Sequence, residues 1–144
     1  MSPALSAYFT DYAGFHQTRG NQACHYLAIP IIVLSIIALL GSVPLAMIAG
    51  FPLTLAEPVI LILTLYNLTL DAPLGLTMLV ALLVMDAAGR RVPVLVAVGL
   101  FIAGWIVQFI GHYAYEGRSP AFFRNIVHLL VGPLWVLAKA TGRG

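Results

Sequence analysis

Long apolar runs, separated by short polar connectors, constrain the fold of this chain more than any other feature. One run, from Tyr26 to Ile48, contains no charged residue. A helix needs about 20 apolar residues to cross the ~30 Å hydrocarbon core of a bilayer, because its backbone polar groups must be satisfied within the segment. Only 8% of the residues are charged and 61% are hydrophobic, whereas charged residues approach a quarter of a typical soluble domain. The sequence therefore predicts an all-α, polytopic membrane protein.

The runs divide into five predicted membrane spans behind an amino-terminal helix. Aromatic residues recur at helical spacing in residues 3–19, which indicates an interfacial helix that ends at Gly20. Asn21 is the predicted N-cap of the next helix, and Pro30 and Pro44 are expected to kink it. The predicted spans cover about residues 23–48, 53–70, 73–88, 94–113 and 121–139, and residues 1–144 are expected to form a single membrane domain.

The order of the predicted spans brings two distant polar regions to one membrane face. Four crossings separate the amino-terminal helix from the connector after the fourth span, so both lie on the same side. His16 and His25 are then expected near His112 and Glu116. Basic residues occur on both faces, so the positive-inside rule does not determine the orientation.

All four histidines fall at or near the ends of predicted spans. Ionisable groups at membrane depth cost at least about 2.5 kcal/mol each by insertion scales, so those that remain usually line a site or pair with one another. A turn at Gly20 lets two of the histidines face each other, and Asn125 is expected to share a helix face with the last one. Imidazoles without thiolates suit iron, zinc, copper or nickel. The predicted metal ligands are His16, His25, His112 and His128.

A second polar feature is a stripe on the fourth predicted span. Trp105, Gln108, His112 and Glu116 follow one another at intervals of three, four and four residues, which places them on one face of a helix. Glu116 is expected either to touch the same metal as His112 or to orient its imidazole.

The charge of the chain argues against one class of partner. The formal net charge is +2, and the basic residues are scattered, so a nucleic-acid-binding surface is not expected. The lipid bilayer is the expected partner, in a bacterial inner membrane or the endoplasmic reticulum. The sequence does not indicate an oligomeric state.

Two motifs resemble the iron(II)-dependent 2-hydroxy fatty acid dioxygenases of fatty acid α-oxidation, a family of small multi-span membrane proteins. The first motif is YAGFHQTRGNQACHYLAIP, residues 12–30, and the second is GWIVQFIGHYAYEGRSPA, residues 104–121, followed by Gly132-Pro133. The middle of the chain, about residues 45–95, resembles the family only in being apolar.

The resemblance implies roles for individual residues. His16, His25 and His112 would hold Fe(2+), and Glu116 is a candidate for a further direct ligand. His128 lies outside both motifs and stays a candidate ligand by its spacing alone. Asn21, Gln108 and Glu116 would support catalysis, and the candidates for substrate binding are Arg118, Arg19, Tyr12 and Trp105.

The implied reaction uses O2 and a long-chain 2-hydroxy fatty acid, and it yields CO2 and the acid one carbon shorter. This oxidation releases four electrons, the number that O2 accepts, so no separate reductant is needed. The chain accordingly shows no flavin, nicotinamide or P-loop fingerprint. Two alternatives stay open from the sequence: another metal-dependent membrane lipid enzyme, such as a zinc hydrolase, and a non-catalytic lipid-binding or scaffold protein.

Overall fold

The computed structural model describes residues 1–143, and this part of the chain forms six α-helices and one β-hairpin. The all-α class is thus confirmed, with the hairpin as a small addition. A π-helical segment, Gly111–Glu116, continues the fifth helix, and a 3-10 turn, Ala121–Phe123, precedes the sixth. The elements are α1 (Pro3–Gly14), α2 (Arg19–Gly41), β1 (Pro44–Ile48), β2 (Phe51–Thr54), α3 (Ala56–Leu70), α4 (Ala72–Gly89), α5 (Val94–Ile110) and α6 (His128–Ala140).

Three helical stretches within residues 1–143 are long and apolar enough to cross a membrane. They are Arg19–Gly41, Ala72–Gly89 and Val94–Glu116. Helices α3 and α6 are also apolar but have only 15 and 13 residues. Large apolar side chains stay exposed on the longer helices too, as at Leu95 of α5, which is 82% exposed. Such surfaces suit contact with lipid rather than water.

The first helix is shorter than predicted, because the chain turns before Gly20 and not at it. Helix α1 ends at Gly14 and α2 already begins at Arg19. The hydroxyl of Thr18 accepts a hydrogen bond from the Asn21 backbone N–H at 3.3 Å, so Thr18, and not Asn21, caps α2. Gly20 lies in the first turn of α2, where a Cβ atom would overlap the ring of Tyr115.

A β-hairpin replaces the predicted junction between the first two spans. Helix α2 accommodates Pro30 in its interior but ends at Gly41, so Pro44 begins β1 and is not a helix kink. The two strands pair antiparallel, and the turn residues Ala49 and Gly50 both have positive φ angles, 49° and 80°. Two such residues make the tight turn that suits the strand twist.

Residues 32–101 form one of two compact units. In it, Arg90 pairs with Asp86 at 3.0 Å and with Glu57. The Glu57 carboxylate also accepts hydrogen bonds from the backbone N–H and hydroxyl of Thr54, both at 2.7 Å. Helices α3 and α4 approach closely at Gly75, where a Cβ atom would lie 2.9 Å from the Leu68 nitrogen. These contacts connect the hairpin with both helices.

Residues 1–31 and 102–143 form the other compact unit, which contains all four histidines. The predicted fifth span begins late in it, because residues 121–127 form a 3-10 turn and a further turn before α6 starts at His128. Asn125 lies in that turn, where its side-chain oxygen accepts a hydrogen bond from the Val127 N–H at 3.1 Å. The prediction that Asn125 and His128 share a helix face is therefore wrong.

Candidate metal centre

Three of the four histidines converge in the interior of the unit. His16 lies between α1 and α2, His25 lies six residues after the start of α2, and His112 lies in the π-helical segment. All three side chains are buried, and one nitrogen of each lies within 4.8 Å of those of the other two. The three imidazoles together could hold one metal ion.

The hydrogen bonds of His16 and His25 determine which ring nitrogens carry protons. His16 Nδ1 lies 2.6 Å from the carbonyl oxygen of Tyr12, and His25 Nδ1 lies 2.9 Å from that of Asn21. A carbonyl oxygen can only accept, so each Nδ1 is the donor and each Nε2 of the neutral ring carries a lone pair. Backbone carbonyls of this kind fix the tautomer of metal-binding histidines.

The two Nε2 atoms face each other at 2.9 Å. Since both carry lone pairs in the neutral rings, neither can donate to the other. His112 Nδ1 is also buried and has no hydrogen-bond partner among residues 1–143. A cation placed between the two Nε2 atoms would accept both lone pairs, and one nitrogen of His112 lies within 4.8 Å of the ligand atoms of His16 and His25. The donor set therefore fits a metal ion such as iron or zinc.

Burial also keeps His16 in the form that binds metals. It lowers the pKa of the His16 imidazole to about 4, and the hydrogen bond to Tyr12 opposes this effect only in part. The ring is therefore neutral at pH 7. The Tyr12 ring stacks on the His16 ring at 4.0 Å, and burial raises the pKa of the Tyr12 hydroxyl above its usual range.

Glu116 holds the connector that carries His16. Its carboxylate accepts hydrogen bonds at 3.0 Å from the backbone N–H groups of Gln17 and Thr18, at 2.9 Å from the Thr18 hydroxyl, and at 3.1 Å from the Asn21 side chain. Within residues 1–143, no hydrogen bond joins this carboxylate to a histidine ring. Glu116 is thus placed to position His16 through the connector.

Two amides complete this network. The Asn21 Nδ2 group also donates to the carbonyl of Phe15 at 3.1 Å, and the Gln22 side chain donates to the carbonyl of His16 at 2.7 Å. Together with Glu116, they fix the backbone on both sides of His16. Gln22 is not among the site residues predicted from the sequence, because a glutamine in a helix carries no distinctive sequence signal.

The π-helical segment positions His112 against α2. A Cβ atom on Gly111 would lie 2.6 Å from the side-chain oxygen of Asn21, so only glycine permits this approach. π-helical turns are frequent at functional sites. One turn earlier, Gln108 is buried, and its side-chain oxygen has no hydrogen-bond partner within residues 1–143. Trp105 packs edge-on against Phe122 at 5.3 Å.

His128 does not join the other three histidines. Its Nε2 lies 2.8 Å from the carboxylate of Asp11, and its ring packs edge-on against Tyr12 at 5.8 Å. Asp11 is not among the site residues predicted from the sequence. The two residues are 117 positions apart, and no spacing rule connects residues at such a separation.

The two arginines predicted to bind substrate are both exposed and lie in different surroundings. Arg19 begins α2. Arg118 lines a cavity of about 440 Å³ that also contains Arg124, and its backbone N–H donates to the carbonyl of His112 at 3.1 Å.

Comparison with known proteins identifies relatives of this chain. Residues 3–144 match a family described as "2-hydroxy-palmitic acid dioxygenase Mpo1-like". The chain is similar to the 2-hydroxy-palmitic acid dioxygenase MPO1 of Saccharomyces cerevisiae, with 31% identity over 124 residues, which covers 83% of this chain and 69% of the yeast protein. No solved structure matches it.

Proposed function

This chain belongs to the 2-hydroxy-palmitic acid dioxygenase Mpo1-like family, and we propose that it is an iron(II)-dependent dioxygenase of long-chain 2-hydroxy fatty acids. The proposed reaction converts the 2-hydroxy acid and O2 into the acid one carbon shorter, CO2 and water. Four electrons leave the substrate and four enter O2, so the reaction is balanced without another reductant.

The observation that carries the proposal is the approach of His16 Nε2 to His25 Nε2 at 2.9 Å, with both Nδ1 atoms bound to carbonyl oxygens. Together with His112, these nitrogens are the proposed iron ligands. Three neutral imidazoles would leave the ion its positive charge and open coordination positions. Bound iron would supply the redox chemistry with O2 that the side chains of this chain lack.

The surrounding residues of the chain are proposed to position the ligands and the substrate. Glu116 and Asn21 keep the His16 connector in place, and the carbonyls of Tyr12 and Asn21 keep the Nδ1 protons on the rings. Gln108 offers a buried acceptor without a partner in residues 1–143, which suits the α-hydroxyl of the substrate.

The arrangement also limits the access of water. His16, His25 and His112 are at most 2% exposed, and the Trp135 and Tyr12 rings lie 5.9 Å and 4.0 Å from the His16 ring. A dry, largely apolar site suits an alkyl substrate and protects a reactive centre from side reactions.

The long alkyl chain of the substrate requires a lipid environment, and we propose that the protein is integral to a membrane. Helices α3 and α6 are proposed to cross the bilayer as the three longer ones do, which would make five spans. On α3, Leu61, Ile62 and Leu65 are 58%, 65% and 56% exposed, an outer surface that suits lipid. The membrane would be a bacterial inner membrane or the endoplasmic reticulum.

One experiment tests the proposed function directly. The protein is purified in detergent without oxygen, its bound metal is measured, and 2-hydroxypalmitate is then added with and without O2. We expect iron in the protein and an O2-dependent yield of the fifteen-carbon acid and CO2. Bound zinc together with turnover in the absence of O2 would instead identify a hydrolase.

A further inference from the structure

A cavity of about 440 Å³ opens beside the end of α1, and none of the three converging histidines lines it. One wall comes from α1 and the residue after it. The other comes from the segment between the π-helical turn and α6. Its lining residues are Thr10, Asp11, Gly14, Phe15, Arg118, Ser119 and Arg124.

The cavity carries an excess of positive charge. Within residues 1–143, neither Arg118 nor Arg124 forms an ion pair with a carboxylate, and the Arg124 guanidinium lies 5.8 Å above the Phe15 ring. The one acidic lining residue, Asp11, directs an oxygen to His128 at 2.8 Å. Two arginines therefore line the cavity with only one carboxylate, which is already bonded. A singly charged anion would balance them.

The cavity adjoins the metal centre through backbone and ring contacts. The Arg118 N–H donates to the His112 carbonyl at 3.1 Å, and Phe15 directly precedes His16. On the α1 side, Asp11 contacts His128, whose ring packs against Tyr12. Two residues that line the cavity are thus directly connected to two of the three candidate ligands.

We propose that this cavity binds the carboxylate of a long-chain fatty acid, as a docking site separate from the histidine centre. Guanidinium groups bind carboxylates with paired, charge-assisted hydrogen bonds, and two of them offset the loss of hydration of the anion. The Ser119 hydroxyl supplies a further donor. The role of the site in turnover, as the point where substrate enters or product leaves, rests on the proposed function.

Loss of the docking site should affect KM and kcat differently. A docking site contributes to the capture of the acid and not to the chemical step, so its loss raises KM and leaves kcat nearly unchanged. The charges are exposed, so the effect should weaken as salt is added.

Binding is tested with palmitate, which lacks the hydroxyl group and cannot be turned over. The full chain is reconstituted in nanodiscs of zwitterionic lipid, and the affinity for radiolabelled palmitate is measured for the wild type, Arg118→Gln, Arg124→Gln and the double variant. We expect each single change to weaken binding by about tenfold, equivalent to about 1.4 kcal/mol, and Arg118→Lys and Arg124→Lys to restore part of it. The matched control is Arg91→Gln, an exposed arginine that does not line the cavity.

Two competitors identify the anion. Methyl palmitate, which has no charge, should not displace palmitate, and phosphatidylglycerol in the disc should compete only weakly. Equal affinity of the double variant and the wild type, or displacement by the methyl ester, would overturn the proposal. Strong competition by phosphatidylglycerol would assign the cavity to a lipid phosphate instead and would equally overturn it.

The kinetic measurement distinguishes this proposal from the proposed function. If the wild type produces no fifteen-carbon acid, the proposed function fails, whereas charge-dependent palmitate binding would still support the docking site. If turnover is present but KM for 2-hydroxypalmitate is the same in the double variant, only the docking site is refuted.

Discussion

The Nε2 atoms of His16 and His25 face each other, although in the neutral rings neither atom carries a proton to donate. Their Nε2 atoms lie 2.9 Å apart, while the Nδ1 atoms donate to the carbonyls of Tyr12 and Asn21. Without a cation, the neutral rings would have two lone pairs in contact, so either an imidazole gains a proton or the rings move apart. Burial opposes the first of these at His16. A metal ion between the rings would remove this conflict, so we expect the native arrangement to depend on one.

Removal of the metal should destabilise the protein measurably. A ligand that binds only the folded state adds about 2.7 kcal/mol when its concentration is 100 times Kd, and chelation removes this contribution. We expect a lower midpoint of thermal unfolding in detergent with EDTA, and recovery when Fe(2+) is added without oxygen. In His25→Ala the difference between the two conditions should vanish. An unchanged midpoint in the wild type would show that no metal stabilises the fold.

Substitution of the histidines should separate ligands from structural residues. His25→Ala removes one of three converging nitrogens, so we expect loss of bound iron. Activity should also fall, by more than the loss of about 10–100-fold that is typical when a residue supporting a metal ligand is replaced.

His128→Ala is the matched control, because it removes an equally buried imidazole that contacts Asp11 instead. It should keep its metal and lose mainly stability. Iron measured per folded protein distinguishes the two variants, and loss of iron from His128→Ala would make that residue a ligand.

Glu116 should affect the metal through the position of His16. Glu116→Gln replaces a carboxylate that accepts from two backbone N–H groups, a hydroxyl and an amide. Hydrogen bonds to charged groups contribute about 1.5–3 kcal/mol each, so we expect lower stability and about 10–100-fold weaker iron binding.

A second glutamate provides the control for this effect. Glu57→Gln removes the charge that pairs with Arg90 and weakens the hydrogen bonds from Thr54, in the unit that contains no histidine. It should lower the unfolding temperature without changing the iron affinity in a titration. Equal iron affinities for Glu116→Gln and the wild type would show that Glu116 has no influence on the centre.

The parts of this molecule that could be predicted from sequence are those set by composition and by side-chain spacing. Few charges and long apolar runs indicate membrane helices whatever their packing. The count of crossings predicted that His16 and His25 would meet His112, and the structure brings these three residues together.

Other features depend on contacts that spacing does not encode. The hairpin of β1 and β2 is as apolar as the end of the predicted first span that it replaces, so the hydrophobic periodicity could not distinguish strand from helix there. The partners of Glu116 include backbone N–H groups, which every residue except proline possesses. The contact of Asp11 with His128 depends on how α1 packs against α6. Such features emerge only from tertiary structure.

The close approach of Gly111 to α2 should be essential for the metal centre. A Cβ atom there would lie 2.6 Å from the Asn21 side-chain oxygen and 2.9 Å from the Cys24 Cβ. Gly111→Ala should therefore displace His112, cost about 1–3 kcal/mol of stability and weaken iron binding. Gly99→Ala is the control in α5, the helix that the π-helical segment continues, because a Cβ there meets no atom of residues 1–143 within 4 Å. It should be neutral or stabilise by up to about 1 kcal/mol. Iron titration and thermal unfolding of both variants test this, and equal iron affinities would refute it.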